Sequence, residues 1–144
     1  MTEFIYKDDH YVYHITDKKN IDSIISHGLV PSLGDRSLKV GDNFKAIYFF
    51  DKIDSINDFM NFLYENKNKD SLEVLRFNIK QLTWFYHRDN EYYIKCEIPV
   101  DKLDYLELYI DNNKISFSYL NDKDKYNLDY KWCKLTEYYK IINT

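Results

Sequence analysis

Residues 11–31 read YVYHITDKKNIDSIISHGLVP and contain the pattern from which the fold is best predicted. The stretch begins with β-branched and aromatic residues, which predict a strand over 11–15. The isoleucines that follow recur at helical spacing, so we expect a helix that Asp17 caps and Gly28 ends. The pattern therefore begins with a strand, a helix and a glycine turn.

The remainder of the chain predicts more strands than helices. In chain order we expect a strand over 46–50, a helix from about Ser55, strands over 72–79 and 92–98, and a hairpin of 103–110 and 115–120. The run 46–50 is almost wholly apolar, which predicts burial on both of its faces. Residues 121–144 do not distinguish strand from helix. This order predicts an α+β fold with antiparallel sheets rather than a doubly wound parallel sheet.

Composition limits the class of protein. The chain has 144 residues, of which 44% are hydrophobic and 18% aromatic, so we expect one domain over residues 1–144. Twenty Lys and Arg against 24 Asp and Glu give a net charge of −4, which lacks the basic footprint of a general nucleic-acid binder. Two cysteines make neither a disulfide framework nor a zinc site. With no membrane-length apolar stretch and no leader, we expect a cytoplasmic protein without a membrane partner.

The turn between the first predicted strand and helix excludes two common nucleotide-binding motifs. It reads His14-Ile15-Thr16-Asp17-Lys18 and contains no glycine. A Rossmann fingerprint or a P-loop needs glycines there, because the backbone must approach the phosphates closely. Any nucleotide chemistry of this chain must rest on another type of site.

A set of short motifs follows one another in order between residue 11 and about residue 108. They are Tyr13-His14-Ile15-Thr16, the helix with Gly28-Leu29, the strand Ala46-Ile47-Tyr48-Phe49-Phe50, and Glu91-Tyr92-Tyr93-Ile94 before Ile98-Pro99. Their order resembles the ADP-ribosyltransferase fold in its His-Tyr-Glu branch, which includes diphtheria-toxin-like enzymes, tRNA 2′-phosphotransferases and DarT-type DNA-modifying toxins. The resemblance implies split antiparallel β-sheets with flanking helices and an NAD cleft between the sheets.

The chemistry that this resemblance implies is cleavage of the nicotinamide–ribose bond of NAD⁺ and transfer of ADP-ribose to a nucleophile. NAD⁺ is then a co-substrate, and no metal is needed. The ribose carbon becomes cationic as nicotinamide leaves, so the site needs a carboxylate, a ribose-binding group and an aromatic face. By resemblance, Glu91 is catalytic, His14 binds ribose and Tyr48 stacks on nicotinamide. Thr16 would support the first strand, and Arg36 would pair with the diphosphate.

Each of these residues also has a structural explanation when it is taken alone. A histidine on a strand is usually a hydrogen-bonded structural residue, and Tyr48 stands among apolar neighbours that are typical of a core. Glu97 competes with Glu91 for the catalytic role, but we expect it at the far end of the same strand, about 20 Å away. Cys96 is expected to be a buried, inert thiol.

The leading hypothesis is a small NAD-dependent mono-ADP-ribosyltransferase, a bacterial or phage toxin or effector that modifies a nucleic acid or a protein. An antitoxin would then be among its partners. One alternative is an enzyme similar to tRNA 2′-phosphotransferases, which grip a phosphate with several arginines and histidines, whereas this chain has three arginines. The other alternative is a catalytically silent domain that binds NAD, ADP-ribose or a protein. The leading hypothesis requires the strands of His14 and Tyr48 to line one cleft, because both side chains must meet the same dinucleotide. Side chains that point to opposite faces would contradict the resemblance.

Overall fold

The computed structural model describes residues 2–3, 10–33, 44–50, 72–81, 86–88, 91–115 and 128–138. These ranges contain nine strands and one α-helix. The strands are β1 (Thr2–Glu3), β2 (Tyr11–Asp17), β3 (Ile47–Phe50), β4 (Leu72–Asn78), β5 (Tyr86–Arg88), β6 (Glu91–Ile94), β7 (Leu103–Ile110), β8 (Asn113–Ile115) and β9 (Leu128–Lys134). The helix α1 spans Ile21–His27, and 3-10 turns occupy Lys18–Asn20, Ile79–Gln81, Val100–Lys102 and Leu135–Glu137.

All the described strands belong to one sheet. Its order is β1-β5-β6-β3-β2-β4-β7-β8, and β9 pairs with the opposite edge of β7. Each pairing among these strands is antiparallel. The described part of the chain is therefore rich in antiparallel sheet and poor in helix, in agreement with the α+β class.

A narrow junction joins β2 to β3 in the middle of this sheet. β2 pairs with β4 along seven residues, but among the described residues it pairs with β3 at Tyr13 and Phe50 alone. On its far side, β3 pairs with β6 over four residues. The described sheet thus has two well-paired parts, which one pair of described residues connects. We call the place where β2 and β3 separate, beyond Tyr13 and Phe50, the split.

Separate hydrophobic clusters cover the two faces of the sheet. The larger cluster lies on the face that α1 contacts through Ile21 and Ile24. It includes the large rings of Phe49, Phe77 and Tyr92, each at most 2% exposed. A smaller cluster of leucine and valine side chains from β4 and β7 lies on the other face. Opposed residues of antiparallel strands share a face, so the pairing itself brings these side chains together.

The helix α1 begins later than the sequence predicts. Pairing of β2 with β4 extends through Asp17, and a 3-10 turn over Lys18–Asn20 follows, so Asn20 is the residue that precedes the helix. The prediction that Asp17 caps the helix is wrong, and its side chain forms no capping bond. The end of the helix is confirmed, because the Gly28 N–H donates to the Ile24 carbonyl oxygen at 2.7 Å.

Gly28 connects α1 to a backbone bridge that holds the end of the helix against the segment after β6. Its φ of 77° and ψ of −175° lie in a region that is almost restricted to glycine. Leu29 and Ile98 then exchange two backbone hydrogen bonds of 2.9 Å. A Cβ at position 28 would lie 2.3 Å from the carbonyl oxygen of Ile98. Both the conformation and the close approach therefore require glycine here.

β6 is shorter than the predicted strand over 92–98. It ends at Ile94, and an exposed bend follows. Ile98 is buried again, but through the bridge to the end of α1 rather than through the sheet. Two predictions are therefore wrong: Cys96 is exposed rather than buried, and Glu97 does not continue the strand. The physical reason is that the backbone leaves the sheet in order to form the bridge.

β3 has only one face in the core. Ile47 and Phe49 are buried, whereas Tyr48 and Phe50 are half-buried. The prediction of burial on both faces is wrong, because an apolar run does not show which of its residues a neighbouring element covers. The alternation turns Tyr48 away from the larger hydrophobic cluster.

A hairpin follows β7 as predicted, but its turn has two residues instead of four, so β8 begins at Asn113 rather than Ile115. β7 and β8 are joined by Asp111 and Asn112, whose φ values of 50° and 66° are the left-handed conformations that the tightest hairpin turn requires. β9 shows that Leu128–Lys134, in the ambiguous C-terminal part, is a strand. The predicted helix from Ser55 and the predicted strand beyond Ile115 lie outside the described residues.

We expect Gly28→Ala to lower the free energy of unfolding by about 1–3 kcal/mol, the usual cost of a side chain in this backbone region. Displacement of Ile98 would add to that loss. Urea denaturation followed by circular dichroism measures it. Ser26→Ala, at an exposed position of α1, is the control and should change the stability by less than about 0.5 kcal/mol. Equal stability of Gly28→Ala and the wild type would contradict this account of the helix end.

Candidate functional site

His14 bridges the split. It follows the Tyr13–Phe50 pair on β2, and its Nδ1 is 2.7 Å from the carbonyl oxygen of Tyr48. A carbonyl oxygen can only accept a hydrogen bond, so Nδ1 carries the proton and donates it. The imidazole therefore supplies a hydrogen bond to β3 where the regular pairing of β2 and β3 has ended.

The surroundings of His14 keep its ring neutral. The ring centroid is 5.6 Å from that of Phe49. Burial lowers the pKa of His14 below its ordinary value, while the hydrogen bond to the Tyr48 carbonyl acts in the opposite direction. Since Nδ1 holds the proton, Nε2 of the neutral ring is an acceptor, and it forms no hydrogen bond with any described residue. His14 can therefore accept a hydrogen bond from a hydroxyl group of a ligand.

The ring of Tyr48 lies on the opposite face of the sheet from the ring of His14. Side chains alternate along β3, and His14 contacts Phe49, the neighbour of Tyr48. Tyr48 faces its cross-strand partner Tyr93, with ring centroids 6.0 Å apart. The structure thus brings His14 to the main chain of Tyr48 at the split, but the two rings lie on opposite faces of the sheet. The prediction that both side chains face one cleft is therefore wrong.

Tyr48 belongs to an aromatic cluster that extends across β3, β6 and β5. Tyr86 stacks on Tyr93 with ring centroids 4.9 Å apart and planes 8° from parallel, and Phe44 lies 5.4 Å from Tyr93. The ammonium group of Lys95 lies over Phe44 and Tyr86, 4.2 and 5.0 Å from their ring centres. These contacts support Tyr48 from one side and restrict the position of its ring.

Glu91 is the first residue of β6 and shares a face with Tyr48. It is opposite Phe50, which is opposite Tyr13, so two strand spacings, about 10 Å, separate Glu91 from Tyr13. Tyr48 lies diagonally across the β3–β6 pair from Glu91, an arrangement that places the two residues about 7–8 Å apart. Glu91 is half-buried, with β3 between it and β2, whereas Glu97 is exposed beyond the end of β6.

Thr16 and His10 have simpler surroundings than the residues at the split. The Thr16 hydroxyl accepts a hydrogen bond from Asn20 at 3.1 Å, which ties the end of β2 to the turn before α1. Arg36 lies outside the described residues. His10 packs edge-on against Tyr92, with centroids 6.0 Å apart. Within the described ranges, no group of three or more His, Cys, Asp or Glu side chains could hold a metal ion.

A buried carboxylate on β7 was missed by the sequence analysis. Glu107 accepts hydrogen bonds from the hydroxyls of Tyr105, at 2.8 Å, and Tyr109, and it pairs with Lys114 at 3.5 Å. Burial alone would raise the pKa of Glu107, but these donors hold it below its ordinary value. The bond to Glu107 raises the pKa of Tyr109 to about 12. The spacing Tyr-x-Glu-x-Tyr is the signal that could have found this group, because alternate strand residues share a face.

Glu73 of β4 is a second buried carboxylate on the same face. It accepts a hydrogen bond from the Tyr138 hydroxyl at 2.8 Å. Burial raises the pKa of Glu73, and the Tyr138 bond and the charge of Lys18 act in the opposite direction. Glu73 and Glu107 each have hydrogen-bond donors from the protein itself, so this network stabilises the fold rather than forming a second ligand site.

Comparison with known proteins does not assign the chain to a family. No protein-family model, curated protein or solved structure matches the chain. In the part of the chain that the structure describes, no helix is long and apolar enough to cross a membrane. The function is therefore argued from the site itself.

We expect His14→Ala to destabilise the protein more than His14→Asn. Alanine leaves the Tyr48 carbonyl without its donor, which typically costs about 1–3 kcal/mol, whereas the amide nitrogen of asparagine can replace Nδ1. Urea denaturation measures both variants, with His27→Ala at an exposed helix position as the control. In the wild type, nitrogen-15 NMR should show the Nδ1–H tautomer and a pKa below 6.5 for His14. Equal losses in the two His14 variants, or a proton on Nε2 at neutral pH, would contradict the bond to Tyr48.

Proposed function

We propose that this chain is an NAD-dependent mono-ADP-ribosyltransferase. The observation that carries the proposal is the position of His14, whose imidazole spans the split and retains an acceptor nitrogen. Tyr48 receives that hydrogen bond through its carbonyl oxygen and shares a face with Glu91. A ribose-binding group, an aromatic ring and a carboxylate are the groups that ADP-ribosyl transfer needs. His14 borders the split from one face of the sheet, and Tyr48 and Glu91 lie on the other face.

Binding of NAD⁺ uses the first two of these groups. Nε2 of His14, on a ring that burial keeps neutral, accepts a hydrogen bond from a ribose hydroxyl. Tyr48 presents its ring to nicotinamide, and the aromatic cluster behind it limits the movement of that ring. Glu91 lies about 7–8 Å from Tyr48 on the same face, which suits the ribose attached to a nicotinamide stacked on Tyr48.

The reaction breaks the bond between ribose C1′ and the nicotinamide nitrogen. The electron pair of that bond leaves with nicotinamide, whose ring becomes neutral, and C1′ develops the positive charge of an oxocarbenium-like state. The Glu91 carboxylate orients a ribose hydroxyl and stabilises this charge. The nucleophilic atom of the acceptor then forms a bond to C1′ and releases its proton. No residue of the protein becomes covalently attached.

The two-part sheet supports the finer fold assignment in this proposal, namely ADP-ribosyltransferase-like split antiparallel β-sheets with flanking helices. One part contains β1, β5, β6 and β3, and the other contains β2, β4, β7, β8 and β9. The pair Tyr13–Phe50 connects them. In this proposal the NAD cleft is the split, because strand edges that separate there leave backbone groups for a ligand.

The acceptor in this proposal is a nucleic acid or a protein, and the biological role is that of a bacterial or phage toxin or effector with an antitoxin as partner. The motif resemblance supports this part. Incubation with labelled NAD⁺ and a bacterial lysate, followed by nuclease or protease digestion of the product, identifies the acceptor. Retained NAD⁺ binding without transfer would instead indicate a catalytically silent domain.

We expect Glu91→Gln to reduce the rate of transfer by about 10²–10³, the usual loss when one electrostatic partner of a transition state is removed. The affinity for NAD⁺ should change little, because the carboxylate acts on charge that develops only in the transition state. Labelled transfer and calorimetric titration measure the two quantities. Glu97→Gln is the matched control. An inactive Glu97→Gln beside an active Glu91→Gln would reverse the assignment.

We expect Tyr48→Ala to weaken NAD⁺ binding, while Tyr48→Phe changes it little because the ring face is kept. Calorimetric titration and thermal melts of both variants separate binding from folding. Truncation of a tyrosine that serves only the core would cost about 3–5 kcal/mol of stability. Such a loss in Tyr48→Ala, with unchanged affinity for NAD⁺, would show that Tyr48 is structural.

A further inference from the structure

β9 is an outer strand of the sheet. It pairs with β7 along its seven residues, and none of the described strands lies on its other side. Tyr130 in this strand is 55% exposed, and Asp129 and Lys131 on either side of it are also exposed. An outer strand with an accessible backbone edge can pair with a further strand.

The sequence of β9 is complementary to itself in one register. A two-fold axis perpendicular to the sheet leaves each face of the sheet on the same side, and opposed residues share a face. In an antiparallel pair of two β9 strands, the axis therefore passes between the two copies of one residue. With the axis at Tyr130, the two Tyr130 residues are opposite each other. Asp129 is then opposite Lys131 of the second copy, and Leu128 is opposite its Trp132. Asp129 and Lys131 thus meet opposite charges, and Leu128 meets the apolar Trp132, whereas Lys134 has no residue of the second β9 opposite it.

Neighbouring registers lack this complementarity. With the axis at Asp129 or at Lys131, like charges face each other on the axis, which is unfavourable. With the axis at Trp132, Lys131 is opposite Cys133 and Lys134 is opposite Tyr130, so neither lysine meets an acid. Among these registers only the one centred on Tyr130 places both Asp129 and Lys131 opposite a residue of the other charge.

We propose that β9 is a dimerisation edge, at which a second copy of this chain pairs antiparallel with the two-fold axis at Tyr130. A lysine on an outer strand discourages pairing with an arbitrary strand. When the partner is β9 of a second copy, its Asp129 neutralises the charge of Lys131. This charge pair therefore also makes the contact specific. One strand pair is a small interface, so the dimer forms at protein concentrations on the order of 100 µM. In the sheet β7 and β4 lie between β9 and β2, although the ring of Trp132 on β9 reaches that of Tyr13 on β2, with centroids 5.7 Å apart.

Exchange of the charges at positions 129 and 131 tests the pairing. Sedimentation velocity of the full chain over a range of concentrations measures the fraction of dimer in each variant. Asp129→Lys and Lys131→Asp should each weaken the dimer about tenfold, because both symmetric charge pairs become repulsive. The double variant restores opposite charges at both pairs and should recover the dimer. Thermal melts show whether each variant is folded. A wild-type chain that stays monomeric to about ten times the expected concentration, or a dimer that none of the variants changes, would overturn the proposal.

An engineered disulfide tests the register. In a Cys96→Ser background, Tyr130→Cys should form a cross-linked dimer on oxidation, since opposed residues have Cα atoms about 4.5–5.5 Å apart. Asp129→Cys should not, because its symmetry mate is about 8 Å away. Cross-linking of the second variant but not the first would overturn the register. Transfer from NAD⁺ should be unchanged in all these variants, so loss of the dimer leaves the proposed function standing.

Discussion

The hydrogen bond from His14 Nδ1 to the Tyr48 carbonyl oxygen is the interaction on which the candidate site depends. Around it, β2 and β3 share a single pair of described residues, so the described backbone pairing does little to hold the two parts of the sheet in register. The imidazole supplies a donor to a carbonyl that regular pairing would otherwise have satisfied. The same bond places the proton on Nδ1 and leaves Nε2 as an acceptor. One contact therefore serves both the fold and the proposed binding of ribose.

The two parts of the sheet are stabilised in different ways. β2, β4, β7 and β9 pair over long stretches and contain the buried carboxylates Glu73 and Glu107, which tyrosine hydroxyls satisfy. β3, β5 and β6 are shorter and depend on packed tyrosine rings as well as on backbone pairing. This division suits a site at the boundary between the parts. The well-paired part presents His14, and the aromatic part presents Tyr48 and Glu91.

Sequence patterns predicted the features that depend on near neighbours in the chain. β2, the end of α1 at Gly28 and the turn at Asp111 and Asn112 are confirmed, because strand propensity, helix capping and left-handed turns act over a few residues. Predictions failed where a distant segment intervened. The bridge from Leu29 takes the backbone out of the sheet after β6 and exposes Cys96, although the alternation of residues there is that of a longer strand.

The sequence by itself determined which residue types stand at the candidate site and that antiparallel strands predominate, since residue identity and short-range periodicity are properties of the chain. Only the tertiary structure decided that His14 donates to the main chain of Tyr48, that Tyr48 and Glu91 share a face, and that tyrosine hydroxyls surround Glu107. These are relations of strand register, and a shift of one residue would move every side chain of a strand to the other face. Register at the split is decided by pairing between segments far apart in the chain, so no local pattern contains it.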